Sequence, residues 1–578
     1  MRSTFMGLEV AKRGMYTQQS ALYVTGHNIS NANTPGYSRQ RVNFQTTEPY
    51  PAVGLNRPNI PGQMGTGVEA ASVQRIRDSF IDQQYRGENT KLGYWSARSD
   101  ALTKVEDIVN EPTEDGLAAV MSEMWQSLQD LAGAPENEGA RGVVIERIQS
   151  VTDTFNYMSD SLKSVQLDFG NQVNVTIKAA NAAIAKLHDI NQQIKKIEPN
   201  GYLPNDLYDQ RDLLVDELSQ YFALEVTQVK SGGNAMEIAE GVYEVSMMNA
   251  DGSKVKIIED DKYFQIGFKN TADNKMMNGV PDVNTGISGV EVFMKNGSGE
   301  WVAATLGDTT AGSPPADVSY TNADGSAKST VNSIDFADDT TGLPTFAQGE
   351  LRGLVEGYGY KKTSAATEIK GIYPDMLDEL DQLAVTLAAV FNAVHAHGKD
   401  LDQTTAAKEL FSFDGPPAIT TTSYKGAASA IQLTAGVTGA DIAASVSGDA
   451  GDGRNALNLA NVSSMLLNQT TVELIGGGSV NIAGMNLPIT SGSVNSFYEG
   501  VIGRLGVDSG QALRMEQNTG ILRESVETNR QSMSSVSLDE EMTNLIKFQH
   551  AYNAAARNIT IVDEMLDKII NGMGVAGR

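Results

Sequence analysis

Four aspartates spaced by three, three and four residues form the densest cluster of potentially reactive side chains in the sequence. They are Asp206, Asp209, Asp212 and Asp216. On one helix face, such carboxylates could bind a cation or act as an acid and a base. The sequence has no histidine close to them, and Asn205 could cap the helix. We therefore favour a solvent-exposed helix face whose first aspartates interact with the helix dipole. Arg211 has no acidic residue three or four positions away, and we expect it to bond to another element.

Three further patterns could bind a metal ion or a phosphate. His395 and His397 would point to different sides of a helix, and the chain has no His-Glu-x-x-His motif of a zinc hydrolase. The glycines of residues 62–67 lack the Lys-Ser or Lys-Thr of a phosphate-binding loop. Residues 448–453 combine Asp and Gly, which could bind calcium but also favour turns, and we interpret them as a turn. The sequence therefore predicts no catalytic residue, no metal site and no cofactor.

Composition excludes several classes of protein. The 578 residues include no cysteine, which excludes disulfides, thiolate nucleophiles and Cys-ligated zinc. A net charge of -27 without a basic patch argues against a nucleic-acid partner, because an acidic surface repels phosphates. No apolar stretch reaches the roughly 20 residues of a membrane span, and the N-terminus lacks the apolar core of a cleaved signal peptide. These signals alone indicate a cytosolic protein.

The elements that could position a functional surface lie at the two ends of the chain, where apolar residues have coiled-coil spacing. The N-terminal seam consists of Phe5, Leu8, Met15, Leu22 and Ile29. The C-terminal seam consists of Leu538, Met542, Leu545, Phe548, Tyr552, Ala555, Ile559, Val562, Leu566 and Ile569. Ser537 and Glu540 predict a capping box that fixes the start of the second helix. Each end could dock on its own domain, but neither is followed by elements that could cover it, so we predict pairing with the other end or with another copy.

A loop signature follows the first seam. It consists of Asn31, Asn33, Thr34, Pro35, Gly36 and Tyr37. Physically it is a helix stop, because Pro35 disfavours the helical conformation of Thr34 and Pro-Gly favours a turn. It resembles the Asn-x-Asn-Thr-Pro-Gly-Tyr motif of the axial proteins of the bacterial flagellum, which are the rod, hook and hook-associated proteins. Four further segments resemble, within this family, the hook-associated proteins of the hook–filament junction. They are residues 38–41, 65–78, 205–212 and 538–549.

Long helices and two insertions are predicted between the ends. Apolar spacing runs from Val144 to Ile197 with a slip near Val173, which indicates one helix or a broken pair spanning about 80 Å. Residues 376–394 and 495–530 continue the helical pattern. Alternation before Asn249 and its Asp-Gly turn predicts a hairpin, and residues 322–326 predict a second turn. The fold class is therefore multidomain, with the following parts: a terminal α-helical coiled coil (1–45 with 531–578), a discontinuous long-helix bundle (46–230 with 350–410 and 495–530), an inserted mainly-β outer domain (231–349) and a small inserted mixed domain (411–494).

The resemblance implies a non-enzymatic structural protein of the bacterial flagellum that joins hook and filament by self-assembly of its paired terminal helices. It also implies an extracellular protein exported through the flagellar type III channel without a cleavable signal peptide, which replaces the cytosolic interpretation. The implied partners are further copies in a ring or helical array, the hook protein, a second hook-associated protein, and an export chaperone on the C-terminal helix. Nucleic-acid binding and membrane insertion are not implied. The alternatives are a hook or rod protein, which should lack the long helical middle, and an enzyme or adhesin in the insertions, for which the sequence offers no reactive cluster.

Overall fold

The computed structural model describes most of the chain, with gaps mainly in the first insertion. The described residues are 4–51, 54, 62–109, 116–268, 286–287, 289–304, 306–307, 318–321, 334–335, 345–361, 368–402, 408–415 and 418–572. The α-helices in this part of the chain are α1 (Thr4–Ser30), α2 (Ser79–Val109), α3 (Leu117–Gly133), α4 (Glu138–Ile197), α5 (Asn205–Tyr221), α6 (Glu350–Tyr358), α7 (Ile372–His395), α8 (Ala427–Ala430), α9 (Arg454–Asn461), α10 (Val494–Ser534) and α11 (Leu538–Asp567).

The strands form small, mainly antiparallel sheets. Their bounds are β1 (Gln40–Thr46), β2 (Val68–Arg75), β3 (Leu224–Val229), β4 (Val242–Met248), β5 (Lys254–Glu259), β6 (Lys262–Tyr263), β7 (Gln265–Phe268), β8 (Gly289–Lys295), β9 (Trp301–Ala303), β10 (Leu306–Gly307), β11 (Val318–Thr321), β12 (Ile334–Asp335), β13 (Tyr360–Lys361), β14 (Ile369–Lys370), β15 (Phe411–Phe413), β16 (Ile431–Leu433), β17 (Thr471–Glu473) and β18 (Ser479–Asn481). One sheet has the order β10-β11-β5-β4-β3 with β6 beside β5, and another has β12-β8-β7 with β9 beside β8. The remaining strands pair as β1–β2, β13–β14, β15–β16 and β17–β18.

Helix α4 is the axis of the protein body. Its 60 residues form one continuous helix of about 90 Å, without a break at the predicted slip. Asn137 caps its N-terminus, with its side chain accepting hydrogen bonds from two backbone N–H groups. The predicted seam from Val144 to Ile194 is largely buried against α3, α5, α6 and α7, and Gly201, at a φ of 82°, follows the helix end. The helix predicted over residues 495–530 is present as α10, which packs along α2.

The first insertion is mainly β in its described part. The hairpin between β4 and β5 turns at residues 249–252, as predicted, while the second predicted turn at 322–326 lies outside the described residues. Strand β3 pairs with β4, so the sheet begins before residue 231. The second insertion combines short strands with α8 and α9. One continuous cluster of buried apolar residues joins both insertions to the helical body, which indicates that they fold against it and not as detached units.

Candidate assembly surface

The two chain ends form an antiparallel helix pair, α1 with α11. A Cβ atom built on Gly7 would lie 3.9 Å from Val562 Cγ2, and one built on Gly14 would lie 4.0 Å from Ala555 Cβ. Further along the pair, the Asn28 amide nitrogen donates to Glu541 over 3.2 Å. The facing positions therefore recur every seven residues on both helices, which is the spacing of a coiled coil. Small residues on α1 let the two backbones approach closely.

The C-terminal seam of the sequence analysis lies on the side of α11 that faces α1. Seven of its members are half-buried, and Leu538, Met542 and Ile569 are exposed. A π-helical turn continues α11 from Lys568 to Gly572, so Ile569 lies in that extension. Phe548 joins a small apolar cluster with Ala21, Val24, Val42 and Val73, and its ring lies 5.9 Å from that of Phe44. The role of the seam in assembly stays a prediction.

The N-terminal seam is offset by one position from the face that meets α11. The face on the partner helix consists of Gly7, Gly14, Ala21 and Asn28, and not of the predicted residues. Leu8, Met15, Leu22 and Ile29 lie beside this contact and are half-buried, while Phe5 is exposed. The apolar pattern misses this because glycine and asparagine do not count as apolar, although small residues are what a close helix crossing requires.

The predicted loop signature lies where the helix pair meets the body. Helix α1 ends at Ser30, and Gly36 adopts a φ of 77° with Leu213 directly beside it, so a Cβ there would lie 3.3 Å from Leu213 Cβ. The Tyr37 hydroxyl donates to Asn28 Oδ1 over 2.8 Å. The Thr34 hydroxyl donates to Asn31 Oδ1 over 3.1 Å, while Asn33, Thr34 and Pro35 are exposed. Burial, followed by the charge of Asp206, raises the pKa of Tyr37, which keeps this donor protonated.

Asn28 is the residue of this junction that sequence reasoning missed. Its amide group accepts from the backbone N–H of Gln40 at 3.0 Å and donates to the Gln40 carbonyl at 2.8 Å. The same side chain contacts Tyr37 and Glu541, so one buried amide joins α1, the loop, β1 and α11. The sequence did contain one indication of this role: Asn28 lies seven residues after Ala21, which is the spacing of the α1 residues that face α11.

Arg39 connects the loop to the start of α11. Its Nε donates to Glu541 over 2.7 Å and its Nη1 to Glu540 over 2.6 Å, while its backbone N–H donates to the Ser534 carbonyl over 2.9 Å. Ser537 is the N-cap residue, but among the described residues its side chain makes no capping hydrogen bond. The predicted capping box is therefore wrong, because the Glu540 carboxylate pairs with Arg39 instead.

The aspartate face of α5 is buried, which contradicts the predicted solvated face. Asp209, Asp212 and Asp216 are 6%, 1% and 7% exposed, and only Asp206 reaches solvent. The carboxylates belong to a cluster of ten charges that we call the ion network: Arg75, Arg77, Arg86, Arg211, Arg530, Asp82, Asp209, Asp212, Asp216 and Glu240. Arg530 also pairs with Glu527 at the edge of the network, so acidic and basic groups nearly balance, and pairing offsets part of the desolvation cost of each.

The ion network links the junction to the body. Arg75 donates to Asp209 over 2.6 Å and to Asp212 over 3.0 Å, and Arg86 donates to Asp216 over 2.7 Å. Arg530, near the end of α10, also pairs with Asp216, so the chain segment leading into α11 is tied to α5. The predictions for Arg211 and Asn205, which both lie on α5, have different outcomes.

Arg211 bonds to other elements as expected, through Glu240 and the Gly241 carbonyl. Asn205 is not the N-cap of α5, because Pro204 holds that position and the Asn205 amide donates to the Val73 carbonyl over 2.9 Å. The arginines packed around Asp212 also determine its pKa. Burial alone would raise the pKa of Asp212, but Arg77, Arg75, Arg211 and Arg86 hold it well below its usual range.

The other patterns considered for chemistry have structural roles. His395 is buried, its Nε2 accepts from the Ala443 N–H over 2.8 Å, and burial lowers its pKa to about 4. Asp452 Oδ2 accepts backbone N–H groups of Val446 and Ser447 within the turn around 448–453. The described residues contain no cluster of three or more His, Cys, Asp or Glu suited to a metal ion. Every helix in that part of the chain is too short or too polar to cross a bilayer.

Comparisons with known proteins agree with this architecture. A family model described as the helical domain of the flagellar hook-associated protein FlgK matches residues 102–289 and 282–411. Flagellar rod models match residues 8–37 and, for the C-terminal part of FlgEFG, 528–572. Flagellar hook-associated protein 1 of Bacillus subtilis (strain 168) is 39% identical over 584 residues, covering 100% of both chains.

Two more distant relatives extend these matches. The Escherichia coli (strain K12) protein of the same name is 26% identical over 575 residues, covering 97% of this chain and 98% of its own. The flagellar hook junction protein FlgK of Burkholderia pseudomallei has a similar fold, with a TM-score of 0.50 at 14% identity over 79% of this chain and 100% of that one.

Proposed function

Because the chain belongs to the FlgK family of flagellar hook-associated proteins, it is a structural component of the flagellum at the hook–filament junction, and we propose that copies assemble through the α1–α11 pair. One observation supports this assignment of the surface. The pair leaves large apolar side chains exposed along its length. Folded monomers rarely leave such a surface uncovered, and contiguous exposed apolar groups are typical of interfaces.

The partners of the pair follow from the parts of the chain that resemble other axial proteins. The matches to rod proteins lie at residues 8–37 and 528–572, which contain most of the helix pair, the loop after α1 and the last residues of α10. This supports association with hook components through the same surface. We further propose the hook protein and a second hook-associated protein as neighbours, and a chaperone that covers α11 before export without a cleavable signal. The function is architectural and does not involve catalysis.

Substitution of Leu566 tests the assembly role. Leu566→Glu places a charge among half-buried apolar residues of α11, and burying an unpaired charge on assembly costs several kcal/mol. We expect cells producing this variant to secrete the protein but to lose filaments and shed flagellin into the medium. Leu566→Met, which keeps an apolar side chain, and Val302→Glu, which places the same charge on the exposed strand β9, should both retain filaments. Normal filaments with Leu566→Glu would show that α11 is not an assembly surface.

A further inference from the structure

Helix α1 carries a second apolar face that the described residues cover only in part. At 100° per residue, its large apolar residues lie within a sector of about 120°, centred roughly opposite the small residues that meet α11. We call this face the outer stripe, and it consists of Phe5, Leu8, Met15, Tyr16, Leu22 and Tyr23. Phe5, Tyr16 and Tyr23 are 61%, 54% and 77% exposed, while the other members are half-buried.

The remaining sides of α1 already have intramolecular partners. Gly7 and Gly14 face α11, and the Thr17 hydroxyl donates to the Val68 carbonyl over 3.0 Å, which fixes the β1–β2 hairpin on another side. A Cβ on Gly67 of the hairpin would lie 3.4 Å from Arg13 Cβ, so this contact is close as well. The helix thus turns Gly7 and Gly14 toward α11 and leaves the large rings of Phe5, Tyr16 and Tyr23 exposed, the reverse of what a helix buried in a monomer requires.

Helix α11 has an outward face of its own. Ile546, Asn553 and Ile561 point roughly opposite the residues that meet α1, and all three are exposed. The two helices also differ in charge. Between Thr4 and Ser30, Glu9 stands against Lys12 and Arg13, a net charge of +1 with histidine neutral. Between Leu538 and Asp567 there are six carboxylates, of which Glu540 and Glu541 pair with Arg39; the other four stand against Lys547 and Arg557, a net charge of -2.

We propose that the outer stripe of α1 packs against the outward face of α11 in a second copy of this chain. Opposite net charges favour α1 against α11 over α11 against α11. Symmetry favours the same choice, because α1 against α1 would be a self-complementary contact that stops at a dimer. Contacts between two different surfaces continue from copy to copy into a ring or a helical array. The inference rests on the proposed assembly function and specifies which surfaces meet.

The absence of cysteine from the sequence permits a direct test. Gln19→Cys lies within the outer stripe, and Asn553→Cys lies on the outward face of α11; both replace exposed polar side chains. Ile546→Cys and Ile561→Cys sample other registers on α11. Single-cysteine chains carrying tags of different length are co-produced, assembled flagella are isolated, and a flexible bis-maleimide is added. Because each chain has one cysteine, every cross-linked product joins two copies.

The expected result is a product of mixed tag length that joins Gln19→Cys to at least one α11 position. Gly14→Cys combined with Ala555→Cys in one chain is the control, since these facing positions should cross-link within a copy. Products that join only α1 to α1, or only α11 to α11, would overturn the proposal. Intact flagella that yield the control product but no product between copies would also overturn it. Both of these outcomes would be seen in flagella that have assembled, so they would refute the proposed contact but not the assembly function. The assembly function is tested separately by Leu566→Glu.

Discussion

Asp212 is the position at which the ion network can be tested most sharply. Its carboxylate lies within 4 Å of nitrogen atoms of Arg75, Arg77, Arg86 and Arg211, and the residue is 1% exposed. Asp212→Asn preserves shape but removes the carboxylate that these four guanidinium groups share, of which those of Arg75 and Arg211 are buried. Removing one partner from a buried ion pair typically costs about 3–5 kcal/mol, because the remaining charge is desolvated without compensation.

The pH dependence gives this prediction a second, independent signature. Since the folded pKa of Asp212 is below its unfolded value near 3.8, its stabilising contribution is complete above that value and is lost as pH falls below it. The variant lacks this group. The difference in free energy of unfolding between the two proteins should therefore be largest at pH 7 and should shrink between about pH 5 and pH 2.

Urea unfolding of the purified protein, followed by helical circular dichroism at pH 7 and at pH 3, measures both effects. Asp206→Asn is the matched control, because Asp206 is on the same helix but its side chain is 63% exposed. Its free energy of unfolding should change by about 0.5 kcal/mol or less. If Asp212→Asn matched Asp206→Asn at pH 7, or if its deficit were unchanged at pH 3, the ion network would not stabilise the body as argued.

Two further predictions concern packing and protonation. Gly14→Leu should overpack the contact with Ala555 and destabilise the helix pair by about 1–3 kcal/mol, seen as faster amide exchange in α1, whereas Gly26→Leu, whose Cβ would meet nothing within 4 Å, should not; equal exchange rates would contradict the close crossing. His395, with a folded pKa of about 4, stabilises fully above its unfolded pKa near 6.5 and should lose about 3 kcal/mol as pH falls through that interval. His395→Gln keeps an acceptor for the Ala443 N–H and should abolish that part of the slope in urea titrations; an unchanged slope would refute the assignment. Burial raises the pKa of Asp381 to about 6, so protonation of this group stabilises the fold as pH falls through the same interval. Because wild type and the His395 variant both contain Asp381, the difference between their pH slopes reports His395.

Periodicity in the sequence was sufficient for the long helices but not for their partners. The seam of α4 and the stop at Gly36 depend on neighbours within one or two turns, and the structure contains both. The burial of Asp212 depends on arginines more than 100 positions away, which no local pattern includes. The facing side of α1 was missed for a related reason, because Gly7 and Gly14 act through the space they leave and not through apolar surface.

The antiparallel arrangement of α1 and α11 has a practical consequence for labelling this protein. Phe5 and Leu566 lie at the same tip of the pair, about 35 Å along α1 from the Asn28 junction. A tag placed next to Phe5 would therefore sit beside the end of α11 that carries Leu566, at the position where the pair is expected to meet its neighbours. Fluorophores or affinity handles are better inserted in the exposed turn around residue 298, between β8 and β9, which is remote in sequence from both helices.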